Sequence, residues 1–184
     1  MSCITQLNGY TESMLPADYA GQNCSIARSL ELVGERWTIL IIREAFLGTR
    51  RFDQFQERLG VARNVLQGRL ERLVEAGIMR RTPYQERPTR YEYRLTQKGV
   101  DLWPVIVSLL KWGDRYAAPA GPPMVLTHKG CGGGLDDRRR CVRCGADLEP
   151  SDVQATPGPG AASEPPLGGV GLAGEPRDRL EERR

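Results

Sequence analysis

A mainly helical α+β fold is predicted by three features of the 184-residue sequence. Apolar residues recur at helical spacing through most of residues 24–76. Two strand-like runs, residues 78–84 and 90–95, follow directly. One more helical run then gives way to a short segment with paired His and Cys and to a Pro/Gly-rich tail.

The elements follow in order. Residues 1–22 carry Gly9, Pro16 and Gly21 as breakers and read as an N-terminal arm. From Cys24, the positions Ile26, Ala27, Leu30 and Val33 mark a helix that Gly34 ends. A second helix, about residues 37–47, is apolar on nearly every side and should be buried. Gly48 and Thr49 break the chain, and Arg51-Phe52 can form a very short strand. Asp53 is placed to cap a short helix over residues 54–59, with Gln56 as its reciprocal partner and Gly60 as the stop. The next helix, about residues 62–76, stacks Leu66, Leu70 and Leu73 on one face, and Gly77 supplies its stop. Asn64, Gln67, Gly68, Glu71 and Arg72 fall on the opposite, polar face.

In the second strand, Tyr91, Tyr93 and Leu95 alternate with Glu92 and Arg94, the period of a half-buried strand. Residues 85–89 join it to the first. Thr96 caps a last long helix through about residue 115, which Pro104 should kink or delay. Trp112 on that helix is either core or a dimer contact. The predicted organisation is therefore an arm (1–22), a main domain (23–118), a small extension (124–149) and a disordered tail (150–184).

Charge is uneven along this plan. Arg and Lys total 26 against 23 Asp and Glu, a formal +3, yet residues 25–100 hold 15 basic and 9 acidic side chains. The last 34 residues hold four Arg against six acidic groups. A basic body suits a polyanion, because each neutralised phosphate releases condensed counterions. No apolar run approaches the ~20 residues of a membrane span, and the N-terminus lacks the basic and apolar regions of a secretory signal. A cytoplasmic protein is expected, in which cysteines serve metal or redox chemistry more often than disulfides. One histidine, no nucleophile–base motif and no phosphate-binding glycine loop argue against an enzyme.

Short helix, glycine turn, amphipathic helix and Arg-tipped hairpin together make the plan of a winged helix-turn-helix. In that geometry the second helix enters the major groove and its early side chains reach base edges. Here these are Arg63, Asn64 and Gln67, with Arg72 further along. Arg suits guanine, and Asn and Gln suit adenine. Arg87 and Arg90 at the hairpin tip would be aimed at phosphates or the minor groove, and Arg50, Arg51 and Arg69 could add backbone contacts that set position rather than sequence.

The same residues carry a family resemblance. Cys24-Ser-Ile-Ala-Arg28, Gly34-Glu-Arg-Trp-Thr-Ile-Leu-Ile-Ile-Arg43-Glu44, Arg51-Phe52, Asn64-Val-Leu66, Arg69-Leu70, Glu75-Ala-Gly77 and Tyr91-Glu-Tyr-Arg-Leu-Thr96-Gln-Lys-Gly99 resemble the HxlR-type bacterial transcriptional regulators. The match runs over residues 24–113, nearly without gaps. It departs at Ser25, where proline is usual, and at Ala62-Arg63, where a Ser-Pro-like pair is common. The resemblance implies a homodimer formed through terminal helices and bound to an inverted-repeat operator on double-stranded DNA at the bacterial nucleoid. The effector and the direction of regulation do not follow from it. A winged-helix protein-interaction module is the competing class.

The cysteines fall into two kinds. His128 lies three residues before Cys131-Gly132, and Cys141-Val-Arg-Cys144-Gly145 begins ten residues after Cys131. Two ligands separated by two residues grip one tetrahedral ion, and the glycine permits the tight turn. His128, Cys131, Cys141 and Cys144 therefore form a candidate structural Zn²⁺ site on a small ribbon, with Arg138, Arg139, Arg140 and Arg143 favouring thiolates. The competing reading is a hairpin that keeps the turn chemistry without metal, since the spacer is shorter than the usual ~15–20 residues. Cys24 begins the first helix, where a thiol pKa is lowered. In the resembled family this position is a redox sensor in some members and simply packed in others. Cys3 could pair with Cys24 across a dimer. A redox- or zinc-responsive switch on the same DNA reader is thus a further alternative.

Overall fold

The computed structural model describes residue 19 and residues 21–161. Cys3 and residues 162–184 of the tail lie outside the described residues. The element order is α1 (Ser25–Val33), α2 (Thr38–Phe46), α3 (Phe52–Leu59), α4 (Arg63–Glu75), β1 (Met79–Glu86), β2 (Thr89–Leu95), α5 (Gln97–Val100), α6 (Trp103–Tyr116), β3 (Met124–His128) and β4 (Val153–Pro157). The α3–turn–α4 pair and the β1–β2 hairpin form a winged helix-turn-helix. Among the described residues, no helix is long and apolar enough to cross a membrane.

The core gathers where the helical periods predict. Ile41, Ile42, Ala45 and Phe46 of α2 meet Phe55 of α3 and the Leu66, Leu70 and Leu73 row of α4, all buried. Glu44 is buried among them and does not stand alone. Its carboxylate accepts from Arg43 at 2.6 Å, Thr49 Oγ1 at 3.4 Å and Arg58 at 3.5 Å. A buried carboxylate needs such partners, because leaving one unpaired costs several kcal/mol. These bonds fasten α2 to α3 and to the turn between them.

Several boundaries differ from the sequence prediction. Asp53 does not cap α3: the helix begins at Phe52, two residues before the predicted start, and the Gln54 side chain accepts the Arg51 amide at 3.1 Å. Asp53 lies in the first turn, where its charge suits the helix dipole instead. The Arg51-Phe52 strand is reduced to a single bridge from Arg51 to Glu92, beside the Tyr93 amide donating to Arg50 at 2.8 Å. The five-residue hairpin loop contracts to Arg87-Pro88, because β1 and β2 pair as far as Glu86 and Thr89.

The long last helix is two helices. Thr96 caps α5 as predicted, its Oγ1 accepting the Gly99 amide at 3.3 Å. The chain breaks after Val100 and restarts at Trp103, so Pro104 occupies a first-turn position where its missing N–H leaves no gap. Gly99 is required here: a Cβ would stand 2.2 Å from the Ile78 carbonyl oxygen.

The C-terminal extension does not stop at residue 149. A short 3₁₀ turn, Pro150–Asp152, leads into β4, which pairs antiparallel with β3 from Met124↔Pro157 to His128↔Val153. Residues 150–161 therefore belong to the ribbon rather than to a disordered tail. Leu126, Leu135, Leu148, Val153 and Ala155 form its interior, continuous with the main core. Trp103 makes the join. Its ring lies 5.3 Å from that of Phe46, and its Nε1 donates to the Leu148 carbonyl at 3.4 Å. Replacement Trp103→Ala should cost about 3–5 kcal/mol of unfolding free energy, read as a lower midpoint in a urea titration followed by far-ultraviolet circular dichroism.

Candidate nucleic-acid interface and metal cluster

The leucine row that buries one face of α4 leaves its N-terminal polar face outward. Arg63, Asn64 and Gln67 are all exposed. The Arg63 guanidinium sits 4.8 Å over the Phe52 ring, and Gln67 Nε2 donates to Glu71 at 3.0 Å. Arg87 and Arg90 are exposed at the hairpin tip. Between tip and helix lies a cleft of about 390 Å³ lined by Phe52, Arg63, Tyr84, Arg90, Tyr91 and Tyr93. Its tyrosines were not singled out in the sequence, where Tyr91 and Tyr93 read only as strand alternation. The register shift between Pro83 and Gln85, which puts an irregularity at Tyr84, leaves no mark in the sequence pattern. Burial pushes the Tyr93 phenol up, against the pull of Arg81.

The remaining arginines divide. Arg51 is exposed, its guanidinium 4.6 Å over Tyr84 and 4.0 Å from Glu92. Arg50 is half-buried and turned inward, donating to the Ala45 and Thr49 carbonyls at 2.6 and 2.9 Å. Arg69 and Arg72 both pair with Glu35 in the α1–α2 turn, and Arg69 Nε also donates to the Arg36 carbonyl at 3.3 Å. Arg50 and Arg69 therefore have internal roles that sequence spacing did not reveal.

On the ribbon, His128, Cys131, Cys141 and Cys144 come together, their ligand atoms all within 4.8 Å of one another. Cys131 Sγ lies 3.3 Å from both His128 Nδ1 and Cys141 Sγ, and Cys144 Sγ lies 3.3 Å from His128 Nδ1. A tetrahedral ion about 2.3 Å from sulfur and 2.0 Å from nitrogen sets ligand–ligand edges of about 3.5–3.8 Å. Three of the six edges, at 3.3 Å, lie within half an ångström of these lengths, and the widest separation, up to 4.8 Å, would close by about 1 Å around one such ion.

Two matching turns build it. The Gly132 amide donates to the His128 carbonyl at 2.7 Å, and the Gly145 amide to the Cys141 carbonyl at 2.9 Å. Both glycines have φ near +70° (72° and 75°), a conformation open to glycine at no steric cost. Gly133 is needed for a second reason, since a Cβ there would stand 2.5 Å from Cys141 Sγ.

Burial opposes ionisation of Cys141, but the amides of Cys144 and Arg143, with the Cys131 thiol and His128, outweigh it and bring Cys141 down to about 6. Backbone amides thus lead where guanidinium charge was predicted. Arg140 turns to Asp136 at 3.6 Å, and Arg143 donates to the Cys131 carbonyl at 2.6 Å, tying one turn to the other.

Two other features remain. Cys24 is exposed at the N-cap of α1, so among the described residues no packing covers it. Along α6, Val105, Leu109, Trp112 and Tyr116 form an exposed apolar row, Trp112 at 61% and Tyr116 at 66%. Trp112 is therefore not core. Ile26 and Leu30 of α1 are also exposed.

Residues 32–120 match the model of the HxlR-like helix-turn-helix. The uncharacterized HTH-type transcriptional regulator Rv3095 of Mycobacterium tuberculosis is 51% identical over 137 residues, covering 74% of this chain and 87% of the relative. The uncharacterized HTH-type regulator sll1512 of Synechocystis is 37% identical, covering 55% of this chain and 76% of the relative. The crystal structure of PA1607, a candidate transcription factor, superposes with a TM-score of 0.59 at 38% identity, covering 71% of this chain and 92% of that one.

Proposed function

The chain belongs to the HxlR-like helix-turn-helix transcriptional regulators, and from that premise we propose that it reads a specific double-stranded DNA sequence as a homodimer. The observation that carries this reading is the exposed Arg63, Asn64 and Gln67 at the start of a helix whose opposite face is buried. Inserted into the major groove, these side chains match the donor and acceptor patterns of guanine and adenine. Arg87 and Arg90 reach phosphates on one side of the cleft, and Arg51 adds a contact near its base. The chain would act on chromosomal DNA in the bacterial cytoplasm.

A two-fold dimer requires a self-complementary surface, and the apolar rows of α6 and α1 supply one. The operator would then be an inverted repeat with half-sites about 34–36 Å apart. The replacement Trp112→Glu should place a charge in that surface and convert the dimer to monomer in light scattering. Arg63→Ala and Gln67→Ala should each relax base preference by about 1–3 kcal/mol, measured by titration against variants of a site selected from random DNA. Unchanged discrimination in both variants removes these residues from readout. No binding by folded protein at low salt brings the protein-interaction module forward.

The ion of the ribbon is proposed to be Zn²⁺, bound by His128, Cys131, Cys141 and Cys144 in a structural role. Four protein ligands close its coordination, and three thiolates with one imidazole suit zinc. A second reading makes it a switch as well, favoured by the 3.3 Å approach of Cys131 and Cys141. A peroxide would take two electrons from these thiolates, forming their S–S bond as its O–O bond is reduced to water and releasing the metal. Atomic emission should find one zinc per chain, absent from Cys141→Ser. Zinc release by peroxide together with loss of DNA binding supports the switch, whereas release with binding intact limits the metal to structure.

A further inference from the structure

Glu35 stands in the tight turn between α1 and α2, where Trp37 holds a φ of 79° that non-glycine residues rarely adopt. Its two carboxylate oxygens are divided between two cations of the recognition helix, Oε2 to Arg69 and Oε1 to Arg72. The Arg69 Nε bond to the Arg36 carbonyl keeps that side chain against the turn.

Arg72 shares a helical row with Asn64 and Gly68, spaced at i, i+4 and i+8. Gly68 carries no side chain, and a Cβ there would meet nothing within 4 Å, so the row is open to an approaching surface. Arg72 is about 12 Å along the axis from Asn64, and the major groove is about 12 Å wide. A helix reading bases with Asn64 therefore carries Arg72 to the phosphate wall, where a free guanidinium would bind any sequence equally.

We propose that Glu35 is a positioning residue that withholds Arg69 and Arg72 from phosphate and so restrains sequence-independent affinity. The inference rests on the assignment of α4 as the DNA-reading helix. One carboxylate between two guanidinium groups neutralises about half their charge and fixes both heads beside the turn. The counterion release that they could add to every DNA complex is then forgone, and a larger share of the binding energy comes from base contacts.

The test measures binding to a random-sequence duplex over a salt series for wild type, Glu35→Gln and Glu35→Asp. Freeing two cations should steepen the slope of log affinity against log salt by about 1.8. Between about 50 and 200 mM salt, Glu35→Gln should then lose about tenfold more affinity than wild type. At the low-salt end it should bind more tightly than wild type, and by the same factor on a selected site. Glu35→Asp keeps the charge and should retain the wild-type slope. Thermal unfolding of each variant shows that the fold is kept, and loss of fold does not produce a steeper slope. An unchanged or shallower slope in folded Glu35→Gln overturns the proposal, as does an Asp variant that behaves like Gln. Wild-type protein that binds with no salt dependence overturns the DNA-reading assignment together with it.

Discussion

Trp103 is the buried side chain that joins the two halves of this molecule. It is buried at the first turn of α6, its ring against Phe46 of the winged helix and its indole N–H directed to Leu148 of the ribbon. Tryptophan suits such a position because it buries a large apolar area and still carries a donor that needs a partner. The break between α5 and α6 follows from it. A helix continuous from Thr96 would turn this ring elsewhere, and the restart lets Pro104 lie in the first turn without losing a hydrogen bond. Closing the ribbon against α6 then joins its interior to the main core without a second, separate nucleus.

Within the winged helix the same economy governs α4. Its leucine row is the structural half of the helix and needs no polar partner. Every charged group on the other half must be hydrated, paired or used. Arg63 rests on Phe52 and Gln67 on Glu71, contacts worth little in water and easily exchanged for those of a ligand. Buried Glu44 differs in kind. It is held by Arg43, Arg58 and Thr49 in a place where losing a partner is costly. The readiness of the surface and the rigidity beneath it thus depend on how far each charge is removed from water.

Periodicity made much of this legible in the sequence. The leucines of α4, the alternation in β2, the caps at Thr96 and Gly60 and the glycines after Cys131 and Cys144 are local signals with local causes. What escaped is mostly long-range. Nothing near Arg72 announces Glu35, 37 positions away, and nothing near Arg69 announces the Arg36 carbonyl, 33 positions away. Strand β4 was concealed because its flanking Pro and Gly match the composition of disordered chain, while the edge that orders it, β3, lies 25 residues earlier. The Asp53 cap failed for a different reason, since the helix starts at Phe52 and the Phe55 amide that such a cap would take already bonds to the Arg51 carbonyl.

The ribbon poses the last physical question, which is why so small a unit is ordered. Units below about 40 residues seldom bury enough apolar surface to fold alone without a metal or a covalent staple. This one has a handful of aliphatic side chains inside and two glycine-closed turns converging on four ligand atoms. An ion bound there would contribute directly to folding, because the unfolded chain holds no preformed site. Its contribution would pass into α6 at both ends. Trp103 receives it through Leu148, and Arg115 through Asp137 at 2.8 Å. Between those two points run Val105, Leu109 and Trp112, and Tyr116 follows directly, the row proposed for self-association. The ion would therefore act on the proposed self-association through the helix it braces, with no need to approach the residues proposed to face DNA.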